Sequence, residues 1–347
     1  MDSREYRDWV NERLGIGREI LYLSLEDCKA TGPTNDEIFD LTERALTAHG
    51  NKQVEMPAKI GLHPQPDSLM HAMPAYVGPE LACGLKWAAN FPTNQDRYPD
   101  LVPTSGLLVF NDHESGLPMA IMDAYWITEV RTPSVAFAAA KRLARPDTKA
   151  FGMVGCGIQG KAHVRMVERV MHELEEIVVY DVFDEAMDKL IEVCQPDVKA
   201  SIRKASGYED VVRTCGVFAT ATPITHVPEP KLEDSWFRPG QTVLLSDCHS
   251  LVEDVTVKRA DKYLVDSVDQ HQVLEGYGYY PWGLPEIYAE TGEVVAGVKD
   301  GRSDPDELIV VNNVGMAVED VVVARQIFDR ALDAGIGVRL PLWDRTS

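Results

Sequence analysis

The run KAFGMVGCGIQGKAHVRMVERVMHELEEIVVYD, Lys149 to Asp181, decides how this chain is read. Ala150-Phe151-Gly152-Met153-Val154 is a short apolar run with the character of a buried strand. Gly155-Cys156-Gly157-Ile158-Gln159-Gly160 follows as a G-x-G-x-x-G. Helical spacing then places Val164, Val167, Val170 and Met171 on one face, and a second apolar run, Ile177-Val178-Val179-Tyr180, ends in Asp181. Strand, glycine turn, helix, strand and acidic residue in one unit of about 30 residues form a dinucleotide-binding signature. Gly155 permits the tight turn, Gly157 lets backbone amides approach a pyrophosphate, and Gly160 lets helix pack on strand. The phosphates sit at the positive end of the helix. Asp181, 21 positions after Gly160, is placed to accept hydrogen bonds from ribose hydroxyls and to repel a 2′-phosphate. NAD is therefore expected over NADP.

Outward from this unit the alternation continues. Phe183–Val193 reads as helix, Val198–Ile202 as a strand and Tyr208–Arg213 as a short helix. Gly216–Thr222, Thr242–Asp247 and Tyr263–Asp266 read as further strands. Such alternation implies a parallel, doubly wound sheet whose ligand-facing edge lies at the carboxyl ends of its strands, where Thr220, Thr222 and Asp247 fall. Before the unit, a helix is expected from about Thr132 to Leu143. Short runs between Val54 and Ile121, separated by Pro, Gly and Asn/Asp clusters, read as an antiparallel sheet. Asn111–Gly116 is a turn inside it. Thr34-Asn35-Asp36-Glu37 opens a helix that ends at His49-Gly50. Residues 312–334 read as one long helix that returns to the first domain.

Composition narrows the function classes. The chain has 347 residues, enough for two domains. A net charge of −21 opposes binding to a phosphate backbone, so no nucleic acid partner is expected. The sequence contains no apolar stretch of membrane-spanning length. The first residues, Met1–Tyr6, are polar, so a cytoplasmic location is expected. Six scattered cysteines without ligand spacing suit reduced thiols and predict no metal.

Three cations precede the glycine turn: Lys59, Lys86 and Arg131. Lys86 interrupts an apolar strand, which is costly for a buried lysine unless it is paired or functional; the bland alternative is an exposed strand face. Arg131 is expected to follow a strand and open a helix, a suitable place for a fork that grips carboxylate or phosphate. Lys59 reads equally well as a surface cation. Asp247, ending a buried strand, suits a general base, with a turn aspartate as the alternative. His71 and His249 lie near these segments and are the next acid/base candidates, as groups that titrate near neutral pH.

Several local patterns together resemble the ornithine cyclodeaminase/mu-crystallin family: Met73-Pro74-Ala75-Tyr76, Gly84-Leu85-Lys86, Met122-Asp123, Ile127-Thr128, Arg131-Thr132, Gly155–Gln159, Thr220-Ala221-Thr222, Trp236 with Pro239-Gly240, Glu286–Glu290 with Gly292–Val294, and Gly315–Asp320. The resemblance implies an N-terminal α+β substrate and dimerisation domain (1–128 plus the returning segment 311–347) and a Rossmann doubly wound NAD-binding domain (129–310). It implies a homodimer joined through the N-terminal sheet, for which the final helix is also a candidate. It further implies hydride transfer at the α-carbon of a small amino acid or its imine, with a keto acid as the other partner in dehydrogenases. Cyclodeaminases, which use NAD catalytically and release ammonia, and mu-crystallin-like binding proteins are the alternatives.

By residue match, Lys86 and Asp247 are the catalytic pair, and Lys59, His71, Lys86 and Arg131 bind substrate. Arg131, Thr132, Gly155, Gly157, Ile158, Gln159, Gly160, Asp181, Thr220, Ala221, Thr222 and Asp247 surround the cofactor. Two positions depart from the pattern. Lys59 stands where most members have arginine, and His71 where ornithine-specific members have a glutamate for the substrate ammonium. The run Tyr277–Trp282 also looks unusual for the family and is expected to be a lid or an interface loop.

Overall fold

A computed structural model describes residues 2–98, 100–224 and 227–343. The chain divides into two compact units, Met1–Arg131 with Met316–Ser347, and Thr132–Gly315.

The first unit is built on a mixed sheet. Its strands run in the order Val338–Pro341, Glu19–Leu23, Pro118–Asp123, Thr104–Asn111, Ala82–Asn90, Leu69–Val77, Val54–Glu55, with Ile60–Leu62 also paired to Leu69–Val77. All pairs are antiparallel except Glu19–Leu23 with Pro118–Asp123. Alternation dictates one inner face: Met73, Ala75, Val77, Ala82, Leu108, Phe110 and Met122 are buried. Against it lie Asn35–Gly50 and Ala317–Ala334. Thr34 starts the former through a reciprocal cap: its hydroxyl accepts from the Glu37 amide (3.3 Å), and its own amide donates to Glu37 (2.7 Å). The latter buries Val321, Val322, Val323, Ala324, Ile327 and Phe328 completely. Phe328 meets Phe110 with ring centroids 5.3 Å apart. Each such side chain contributes about 1.5–3 kcal/mol. Gly84 is required where helix and sheet approach: a Cβ there would lie 2.6 Å from the Val109 carbonyl and 3.4 Å from Val321.

The second unit holds a parallel sheet in the order Ser201–Lys204, Glu176–Tyr180, Ala150–Val154, Val217–Thr220, Thr242–Leu245, Ile309–Asn312, Lys262–Val265, Ala289–Glu290. The chain leaves Ala150–Val154 in one direction and later returns on its other side with Val217–Thr220. The topological switch point therefore lies between those two strands.

Three expectations are corrected. The returning helix starts at Ala317, not 312, because Ile309–Asn312 is a fully buried strand inside the parallel sheet. Its apolar face is buried within its own unit, which leaves mainly polar positions such as Gln326, Arg330 and Asp333 for contact with a second copy. Arg131 does not open a helix: Tyr125–Leu143 is continuous, with Pro133 inside it, and Arg131 lies one and a half turns in. Asp123 accepts from the Trp126 amide at 3.1 Å and so starts that helix earlier than its β-branched residues suggest. Finally, Tyr279 and Tyr280 of the 277–282 run point inward, each 3% exposed, and pack with Cys248 and Leu274. They form an internal plug, not a lid.

Candidate active site

The glycine turn follows Val154 at the switch point. Gly155 has φ +97, and a Cβ on it would sit 2.5 Å from the Ala221 carbonyl. Gly160 is tighter still, 2.1 Å from the Gly155 carbonyl. Any side chain at either position would push the turn off the strands. Gly157 differs: it precedes the helix Ile158–Met166, no side chain caps that helix, and a Cβ on Gly157 would meet nothing within 4 Å. Uncapped amides facing open space suit an anionic group. The Asp181 carboxylate accepts the Cys156 amide at 2.8 Å and the Phe183 amide at 3.0 Å. It thus anchors the turn and keeps lone pairs for further donors. These residues fit a dinucleotide.

Thr220, Ala221 and Thr222 run beside the turn, the Ala221 amide donating to the Val154 carbonyl at 2.9 Å. From the next strand comes Asp247, fully buried. Its carboxylate accepts the hydroxyls of Thr220 (2.6 Å) and Thr222 (2.7 Å) and the Thr222 amide (3.1 Å). No salt bridge to Asp247 is found among the described residues. Burial pushes its pKa above the usual carboxylate value, against the lowering effect of those donors. The following turn is tightly held. Cys248 adopts φ +58, and Ser250 returns to the Asp247 carbonyl through its amide (3.2 Å) and hydroxyl.

Beneath that turn, Asn312 donates to the hydroxyls of Tyr263 (3.0 Å) and Tyr280 (3.2 Å), and Tyr263 pairs with His249 Nε2 at 2.8 Å. Burial pushes the His249 pKa down to about 3, so the ring that meets the Tyr263 hydroxyl is neutral. His71 is likewise pushed down to about 3, by burial and then by Lys59, His63 and Lys86. Both histidines are uncharged near neutral pH, which corrects their reading as acid/base groups titrating there.

In the first unit Lys86 is 1% exposed, so it does not occupy an exposed strand face. Its Nζ lies 2.6 Å from Asp320 Oδ2 and 3.5 Å from the Thr128 hydroxyl. Arg131 donates from Nε to Asp320 Oδ1 and from Nη1 to Glu319 Oε2, both at 3.0 Å. All four charged groups are buried. Burial lowers the Lys86 pKa to about 8, with Arg131 adding to the lowering and Asp320 and Glu319 opposing it.

His71 shares the sheet face of Lys86, one pair further along: Met73 pairs with Lys86 and His71 with Ala88. The His71 row is otherwise made of Gly61, Ala88 and Gly106. The face beside Lys86 therefore carries little side-chain bulk. Among the described residues, His71 Nε2 is buried without a hydrogen-bond partner. Lys59, just before Ile60–Leu62, is 5% exposed.

The sequence pattern of the ornithine cyclodeaminase/mu-crystallin family matches residues 26–335. This chain belongs to that family. It is 33% identical to the nodulation efficiency protein NfeD of Rhizobium meliloti, over 92% of this chain and 97% of the relative. It is 31% identical to the alanine dehydrogenase of Archaeoglobus fulgidus, over 93% of this chain and 98% of the relative. Among solved structures, an archaeal alanine dehydrogenase dimer with bound NAD superposes with a TM-score of 0.82 at 28% identity, over 94% of this chain and 100% of that one. The Δ1-pyrroline-2-carboxylate reductase of Thermococcus litoralis, in complex with NADH and L-proline, superposes with a TM-score of 0.80 at 26% identity, over 92% and 99%.

The structure thus brings the sequence-selected residues into two groups, one per unit. Gly155, Gly157, Ile158, Gln159, Gly160, Asp181, Thr220, Ala221, Thr222 and Asp247 surround the switch point. Lys59, His71, Lys86 and Arg131 belong to the first unit. Thr132, half-buried in the helix Tyr125–Leu143, begins the second. Sequence reading missed Glu319 and Asp320 as partners of the cations. Two adjacent acids at the start of a strongly apolar helix were the available signal, because only opposite charge makes their burial tolerable.

Proposed function

We propose that this protein is an NAD-dependent oxidoreductase that moves a hydride to or from the α-carbon of a small amino acid, as an amino acid dehydrogenase or imine reductase. The observation that carries the reading is Asp247: a fully buried carboxylate, held by neutral donors alone among the described residues, at the carboxyl end of a strand beside the glycine turn. Burial makes it a better proton acceptor, as a general base requires. The alanine dehydrogenase and imine reductase relatives point to the same chemistry. When bound, the nicotinamide supplies the two-electron acceptor or donor. In the oxidative direction, Asp247 takes the proton released from the substrate nitrogen, or from an attacking water. Lys86, with Lys59 and Arg131, holds the substrate carboxylate by charge; in reduction Lys86 also polarises the imine. His71, uncharged and flanked by cations, disfavours a substrate with a side-chain ammonium.

The amide-anchored carboxylate of Asp181 favours NAD over NADP. We further propose a cytosolic homodimer. Ile60, Trp87 and Leu107 are exposed in one row across the outer face of the first unit's sheet, an apolar stripe that a second copy would cover. No helix among the described residues is long and apolar enough to cross a membrane.

A panel of amino acids, keto acids with ammonia, and cyclic imines, followed at once by NADH absorbance and ammonia release, tests the function. Stoichiometric change in NADH is expected. Ammonia release without net NADH change would mean a cyclodeaminase, and neither signal would mean a binding protein.

A further inference from the structure

Lys86 and Arg131 do not stand free to receive a substrate: one carboxylate, that of Asp320, engages both. Asp320 Oδ2 is 2.6 Å from Lys86 Nζ and Asp320 Oδ1 is 3.0 Å from Arg131 Nε. Glu319, one residue earlier on the same helix, takes Arg131 Nη1 at 3.0 Å, and its Oε2 also accepts the Met316 amide at 3.3 Å. Two carboxylates on the first turn of Ala317–Ala334 are favoured by the helix dipole. Two cations and two carboxylates cancel, and the buried cluster carries no net charge. Lys86 has three N–H donors: one goes to Asp320, one points at the Thr128 hydroxyl at 3.5 Å, and a third remains for a substrate.

We propose that Asp320 is a positioning residue that keeps Lys86 protonated and aimed, and that ties Lys86 and Arg131 into a single rigid grip. This rests on Lys86 being the group that holds the substrate carboxylate or imine. A buried lysine alone loses its proton readily. The groups acting on Lys86 are Asp320 and Glu319, which favour the charged form, and burial and Arg131, which oppose it. His71 on the neighbouring strand is uncharged. With Asp320 neutralised, burial and Arg131 are opposed by Glu319, the lesser influence, so Lys86 deprotonates at lower pH. An apolar partner in place of Asp320 would leave Lys86 uncompensated while Arg131 keeps Glu319.

The test is the pH profile of kcat/KM for Asp320→Asn, Asp320→Glu and Glu319→Gln. Asp320→Asn should move the alkaline limb set by Lys86 at least about one unit toward acid of the wild-type limb. Above the limb each unit then costs about tenfold. Asp320→Glu, which keeps the charge, should restore the limb. Glu319→Gln should mainly raise KM. An unchanged limb in folded Asp320→Asn would overturn the proposal.

If Asp320→Asn does not fold, the comparison moves to Lys86→Met against Lys86→Met/Asp320→Asn, which retains the neutral Arg131–Glu319 pair. Most of the effect of Asp320 runs through Lys86, so any further loss, carried through Arg131, should stay well below tenfold; a loss of tenfold or more would contradict the proposal. If the wild type shows no NAD-linked turnover, the functional reading fails instead. The proposal is then decided by NMR titration of the Lys86 Nζ in protein labelled with 15N-lysine, where loss of the Asp320 charge must lower the midpoint.

Discussion

Asp247 in the second unit and Asp320 in the first are both carboxylates with no exposed surface, yet their surroundings differ in kind. Asp320 lies between two cations, 2.6 and 3.0 Å away. Asp247 receives two hydroxyls and one amide. A carboxylate between cations has its charge compensated at all times and serves as a fixed electrostatic element. A carboxylate held by neutral dipoles keeps an appetite for a proton, because nothing of opposite sign cancels its burial. We infer that the same residue type serves as a clamp in one unit and a proton acceptor in the other. Asp181 is a third case, half-buried and held by two backbone amides, which suits it to accept hydrogen bonds from a ligand.

The largest effect should come from breaking the proton acceptor itself. Asp247→Asn keeps the shape and can retain hydrogen bonds to Thr220 and Thr222, but cannot take a proton. Turnover should fall roughly 10²–10⁴-fold, the range for a lost general base, with NAD affinity nearly intact. Steady-state kinetics with fluorescence titration of the cofactor reads both. Near-normal turnover would remove Asp247 from proton transfer. His71 and His249, held neutral by burial, would then be the next positions to substitute.

Thr220→Val sharpens the contrast instead of breaking it. It deletes a hydroxyl donated to Asp247 at 2.6 Å, one of the contacts that lowers its pKa. The carboxyl should therefore hold its proton to higher pH, moving the acidic limb of kcat/KM upward by about one unit. A limb that moves downward, or stays, would show that the hydroxyl does not support the charged form.

For the third carboxylate, Asp181→Asn should narrow the preference for NAD over NADP by roughly ten- to a hundredfold, the worth of a hydrogen bond to a charged acceptor. Calorimetry with both cofactors measures it. Tighter binding of NADP by the wild type would contradict the assignment.

The smallest expected effect concerns stability. His71, His163 and His249 stay neutral in the folded chain, with pKa values of about 3, 4 and 3. Unfolded, each protonates below its ordinary value of about 6.5. The unfolded state binds more protons in that window, so stability is lost as pH falls from 6.5 toward 4. Each histidine contributes roughly 1.4 kcal/mol per pH unit there. Denaturant unfolding between pH 6.5 and 5 should show a slope shallower by about that amount in His249→Gln. An unchanged slope would mean that His249 is charged or accessible in the fold.

How much of this was legible in the sequence depends on range. The glycine turn and Asp181 were legible because their constraints are local: a φ of +97 at Gly155 and a 2.1 Å approach at Gly160 leave no room for another residue. Lys86 was legible as an anomaly, a charge inside an apolar strand, but its partner 234 positions away left no local trace. The strand Ile309–Asn312 was missed, and its last residue taken into the helix, because Val314, Ala317, Val318 and Val321 continue at helical spacing and a four-residue buried run has no period of its own. Arg131 was displaced in the reading because Ile127, Thr128 and Val130 favour a strand locally, whereas the buried face from Val135 to Ala140 makes the segment helical. The plug formed by Tyr279 and Tyr280 required knowing where Asn312 and His249 would lie.

The central claim, hydride transfer at the α-carbon, is tested most directly with an α-deuterated amino acid identified in the substrate panel, incubated with NAD and the wild-type protein. Mass spectrometry of the reduced cofactor should show one deuterium gained for each substrate oxidised, together with a primary isotope effect when the chemical step limits the rate. Reduced cofactor without deuterium would contradict it; deuterium retained on the product while the cofactor stays oxidised would contradict net oxidation and mark a cyclodeaminase.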